Sequence, residues 1–104
     1  MTSAANPLRG EAMVSIKGRP FVLRPTFQNL VLAEEELGSL FALVERASDG
    51  AITLGEITAL IWHCLPANDR PDREAVGEAV LALGLVSAAK PVRTILAQVL
   101  QGQG

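Results

Sequence analysis

Apolar and polar residues first alternate with a period of two. Ala12, Val14 and Ile16 interleave with Glu11, Met13, Ser15 and Lys17, and after Lys17-Gly18-Arg19-Pro20 a second run sets Phe21 and Leu23 on one side. Two alternating runs around a Gly-containing turn predict a β-hairpin over residues 11–24. Pro20 opens the second run, where a missing N–H does least harm. A lone hairpin is marginal in water, so its apolar face is expected to lie against helices.

From Pro25 the period becomes 3.6. Thr26 is placed as a helix N-cap, followed at helical spacing by Phe27, Leu30, Val31, Glu34 and Leu37, with Gly38 as the stop. Ser39 caps a second helix carrying Leu40, Leu43, Val44 and Ala47, which Asp49-Gly50 ends. Thr53-Leu54-Gly55-Glu56 has the form of a capping box and opens a third helix to about Leu65. The inner face expected for it is Leu54, Ile57, Ile61, Cys64 and Leu65. After a polar loop, Ala67 to Arg70, Pro71 suits the first turn of a fourth helix bearing Val76, Ala79, Val80 and Leu83, and Gly84 ends it. A last helix is expected to start near Ser87, with Pro91 in or near its first turn and a stripe of Val92, Ile95, Leu96, Val99 and Leu100. The fold class is thus mainly α: an N-terminal β-hairpin packed on a compact bundle of about five short helices. Residues 1–8 read as a flexible tail, 9–101 as a single domain and 102–104 as a flexible end.

Composition narrows the function. A chain of 104 residues with 49% apolar content supports one domain with a real core. The net charge is −2 and basic residues are scattered, which argues against nucleic acid, whose binders need a basic face. The Thr53–Leu65 and Pro71–Leu83 helices loosely imitate a helix-turn-helix, but Asp72, Glu74 and Glu78 on the second would repel phosphates. A single cysteine, Cys64, argues for no disulfide framework. The N-terminus lacks a charged start followed by an apolar stretch, and no apolar run nears the ~18 residues that span a bilayer. The expectation is a soluble cytoplasmic protein that does not engage a membrane.

Candidate chemistry is sparse. Trp62-His63-Cys64 invites a Cys–His pair, but adjacent helical residues point about 100° apart. On that wheel Cys64 faces inward as a small apolar group and His63 faces solvent. One Cys and one His fall short of a structural zinc site. Glu34-Glu35-Glu36 fans around its helix and reads as a solvated helix end, although acidic groups are disfavoured near a helix C-terminus. Asp69, Asp72 and Glu74, beside Arg70 and Arg73, lack the spacing of a calcium loop. The glycines stand singly, so no phosphate loop exists, and there is no Gly-x-Ser-x-Gly elbow and no Tyr. No catalytic, cofactor-binding or metal site is expected. What remains is apolar surplus: Leu32, Phe41 and Leu81 fall off the inner faces of their helices and Trp62 lies on a flank. These four form the expected partner-binding set, since Trp and Phe are common interface anchors.

The order of motifs resembles a known family. Asn6-Pro7-Leu8-Arg9-Gly10-Glu11 leads into a strand, Gly18 stands at the turn, and Leu23-Arg24-Pro25-Thr26-Phe27 opens a helix that ends with Glu34 to Glu36 and Gly38. A Gly50 loop, Ile61-Trp62-His63 and Val76-Gly77-Glu78 follow. Over about residues 6–100 the chain resembles the small tail-assembly proteins of gene transfer agents and related siphophage-like particles. These are labelled tail assembly chaperones and, loosely, tail tube proteins. The resemblance implies a non-enzymatic role, holding tape-measure helices while tail subunits polymerise, with tape-measure and tail proteins as partners. The alternative is a structural tail component, a tube or connector subunit, that stays in the particle and self-associates, with the strand edge around Val22 as one pairing surface.

Overall fold

The computed structural model describes residues 12–101. The expected tail at residues 1–8 and the end at 102–104 lie outside them, as does Glu11.

Strands β1 (Ala12–Ile16) and β2 (Arg19–Leu23) pair antiparallel, with Val14 opposite Phe21 and Ile16 opposite Arg19. Val14, Ile16, Phe21 and Leu23 are buried, while Met13 and Ser15 face out. The alternation thus sets the register, because a slip of one residue would turn the whole apolar set to water. Lys17 and Gly18 form the two-residue turn, both with positive φ (53° and 77°), the combination whose twist matches that of the flanking strands.

Five helices follow: α1 (Phe27–Leu37), α2 (Leu40–Ser48), α3 (Leu54–Cys64), α4 (Arg73–Leu83) and α5 (Leu85–Gln101). Each of the first four starts on an oxygen-bearing cap. Thr26 accepts from the Asn29 N–H, Ser39 from Ala42 and Asp72 from Ala75. Thr53 and Glu56 close a reciprocal box, with Oγ1 accepting from Glu56 N at 3.1 Å and the Glu56 carboxylate accepting from Thr53 N at 2.9 Å. Gly38 and Gly84 take positive φ at the ends of α1 and α4.

Two boundaries differ from expectation. Asp72 caps α4, so Pro71 sits just outside the helix. Helix α5 begins at Leu85, directly after Gly84, so Pro91 lies two turns inside it and deprives the Ser87 carbonyl of its usual i+4 donor. Pro91 is itself buried, as are Ala88, Val92, Ile95 and Leu96 on the same side. Burial of that face outweighs the local penalty.

Helix α3 runs through the centre. It packs against α1, α4 and α5, and seven of its eleven residues are buried. The hairpin lies on α5 and α4, and the Arg24 N–H donates to the Cys64 carbonyl at 2.9 Å, tying the end of β2 to the end of α3. Helix α1 rests on α3 through Ala33, with Leu30 and Leu37 half-buried. Its first turn overhangs the core, which leaves Phe27 85% exposed despite its place in the apolar stripe. Leu54, also placed on an inner face by periodicity, is 39% exposed. Among the described residues no single helix is long and apolar enough to cross a membrane.

Candidate functional site

The last turn of α3 projects Trp62 and His63 toward the ends of α1 and α4. Trp62 donates its indole N–H to the Pro71 carbonyl at 3.0 Å. The Arg70 and Arg73 guanidinium carbons each lie 4.4 Å from its ring centroid. The His63 ring meets it edge-on, 5.0 Å between centroids. Trp62 is therefore half-buried and engaged on its polar handle and its π-surface within the chain. These contacts tie the end of α3 to the start of α4.

His63 is buried rather than solvent-facing, at 8% exposure. The helical wheel assumed one buried face, and α1 covers the other. Glu36, near the end of α1, meets His63 Nε2 with one carboxylate oxygen at 2.8 Å and accepts from Arg73 with the other at 2.6 Å. The Arg73 hydrogen bond, and then that of His63, hold the Glu36 carboxyl at a pKa of about 2. An ionised carboxylate only accepts, so His63 Nε2 carries the proton and Nδ1 is left buried without a partner. This carboxylate joins three helices that are distant in sequence. The glutamate run is therefore not merely a solvated helix end. Glu34, too, has a structural task, accepting the Leu40 N–H at the start of α2 at 3.0 Å.

Arg70 finishes the knot by donating to the His63 and Leu65 carbonyls, at 3.2 and 2.9 Å, at the C-terminal end of α3. Cys64 is buried next door, and burial pushes its thiol up to about 12, so it stays protonated and is a poor nucleophile. Among the described residues no group of three or more His, Cys, Asp or Glu could hold a metal ion.

Beyond the Glu36–Arg73 ion pair the α3–α4 surface is built differently. An open groove of about 590 Å³ runs between the first turns of α3 and the length of α4, lined by Leu37, Leu54, Gly55, Gly77 and Leu81 together with Glu36 and Arg73 of the knot. Gly55 and Gly77 add no side chain to it, and a Cβ at Gly77 would meet Thr58 Cγ2 at 3.7 Å. Glu74 and Glu78 border it from α4. Neither makes an ion pair among the described residues, unlike Glu56 at its other side, which Arg46 holds at 2.5 Å.

The four residues expected to bind a partner are thus separated. Leu81, 62% exposed, lines the groove. Leu32 and Phe41, 39% and 62% exposed, lie on α1 and α2 outside it. Trp62 is half-buried between Arg70 and Arg73. Periodicity missed Leu54, which joins Leu81 in the groove, and Val86, 81% exposed on α5.

A family model described as "Phage tail tube protein, GTA-gp10" matches residues 9–102 of the chain. No curated protein and no solved structure gives a significant match. With a helical core, a polar knot that serves the fold, and exposed apolar side chains on several elements, the chain belongs to the phage tail tube protein, GTA-gp10 family.

Proposed function

We propose that this chain is a non-enzymatic structural component of a phage-like tail, acting by association with copies of itself and with other tail proteins, with no cofactor. The observation that carries this reading is the tail-family match across residues 9–102. The disposition of side chains supports it. The residues with catalytic potential, His63, Cys64 and Glu36, are consumed by packing and ion pairing. Exposed Phe27, Phe41, Leu81 and Val86 offer apolar area that a partner can cover. Mass spectrometry of purified tailed particles tests the reading: the chain is expected in many copies per particle, and its absence would refute a structural role.

A second reading, a chaperone that holds tape-measure helices during assembly, is favoured by the groove between α3 and α4, whose apolar lining suits an amphipathic helix. It predicts the chain bound to tape-measure protein before assembly and scarce in finished particles, so the same experiment separates the two.

A further inference from the structure

Helix α5 is docked by one face only. Ala88, Pro91, Val92, Ile95 and Leu96 are buried, and the opposite side presents Val86, Lys90, Arg93, Ala97 and Leu100 at successive steps of four, three, four and three residues. These five share one helical stripe and all are exposed, Val86 at 81% and Leu100 at 51%. The helix contains two basic residues and no acidic one, and neither Lys90 nor Arg93 makes an ion pair among the described residues.

Of the charged residues that line the groove, Arg73 is paired with Glu36 and Glu56 with Arg46, so the charge left to complement this stripe comes from Glu74 and Glu78. Glu74, Glu78 and Leu81 follow one another along α4 with steps of four and three, and both glutamates lack ion-pair partners among the described residues. At 1.5 Å per residue the three stand at roughly 0, 6 and 10 Å along the axis, and so do Val86, Lys90 and Arg93 along theirs. Laid antiparallel, Val86 meets Leu81, Lys90 meets Glu78 and Arg93 meets Glu74. All three pairs then fall within roughly one residue of a common register. Within one chain the two are separate surfaces: no described residue of α5 lines the groove, and α5 is held against the core by its opposite face.

We infer that the α5 stripe of one copy docks in the α3–α4 groove of a second copy. This rests on the reading of the chain as a self-associating tail component. Groove and stripe are different surfaces, so the contact is head-to-tail: each copy uses its stripe on one neighbour and leaves its groove for the next. Such contacts generate rings or open helical arrays rather than a closed two-fold dimer.

Sedimentation of the full chain over a concentration series tests this. The wild type is expected to form oligomers beyond the dimer that weaken as salt rises. The double variants K90E/R93E and E74K/E78K alter only exposed side chains, and circular dichroism checks that each stays folded. Each alone should lose association by at least about tenfold, because like charges then face each other across the contact. Mixing the two should restore it, since every stripe again finds a groove of opposite sign, and the quadruple variant should assemble without a mate. A wild type that stays monomeric or stops at a two-fold dimer overturns the contact. So do folded double variants that assemble like the wild type, or a mixture that fails to recover. If the chain is nevertheless abundant in purified particles, the tail reading stands and only this contact falls.

Discussion

The α3–α4 pair has two ends built on opposite plans. At one, Trp62, His63, Arg70, Arg73 and Glu36 interlock through hydrogen bonds, ion pairs and ring contacts. At the other, beyond Glu36 and Arg73, which also line it, Leu54, Gly55, Gly77 and Leu81 leave an open groove bordered on the α4 side by Glu74 and Glu78, which lack ion-pair partners among the described residues. The closed end carries the side chains that look like chemistry, and they are engaged with one another. The open end exposes Leu54 and Leu81. A reactive residue type is informative only once its neighbours are known, since the same imidazole is a base in a cleft and a strut beneath an ion pair.

The largest expected effect comes from opening the closed end. Trp62→Ala removes the ring that Arg70 and Arg73 cover and should cost about 3 kcal/mol of folding stability in denaturant titration. Trp62→Phe keeps an aromatic ring but leaves the Pro71 carbonyl without its donor, and should cost about 1 kcal/mol.

Next comes acid. The Glu36 pKa is lowered from 4.5 to about 2 in the folded chain, so its contribution is fully present above pH 4.5 and is lost as pH falls toward 2. Because Glu36 is 39% exposed, solvent screening reduces that contribution to about 1 kcal/mol. Glu36→Gln should flatten the acid limb of the stability curve by that amount, measured by urea titration at several pH values. An unchanged limb would mean that the Arg73 and His63 contacts carry no net weight.

At the open end the sign reverses. Gly77→Ala replaces a helical glycine with a better helix former, and its Cβ meets Thr58 at ordinary contact distance. It should stabilise the fold by about 0.5–1 kcal/mol while making the groove shallower, so melting temperature and self-association should move in opposite directions. The smallest effect on folding is expected for Leu81→Ala. Its side chain is 62% exposed, and removing it should shift stability by no more than about 0.5 kcal/mol, with the loss appearing in association instead.

Much of the fold was legible in the chain because it follows short-range rules. The hairpin needed only the alternation of Val14, Ile16, Phe21 and Leu23 around Lys17-Gly18. The starts of α1, α2 and α3 needed only Thr26, Ser39 and the Thr53–Glu56 box, and the stops of α1 and α4 only Gly38 and Gly84. Each is a contact within about four residues, the distance over which a side chain can satisfy a nearby backbone group.

The candidate site was harder to read because its partners are remote. Glu36 and His63 are 27 residues apart, and Glu36 and Arg73 are 37 apart. A signal for His63 did exist: Ala59, Leu60, Ile61, Trp62 and Cys64 carry apolar character around α3, and a helix apolar on all sides is a buried one. The position of Pro91 inside α5 and the exposure of Leu54 and Phe27 had no such local mark. Where elements begin, turn and end is written in neighbouring residues, whose geometry is set by the backbone. Which faces those elements cover, and hence which side chains are struts and which remain open to a partner, depends on how several helices share one core.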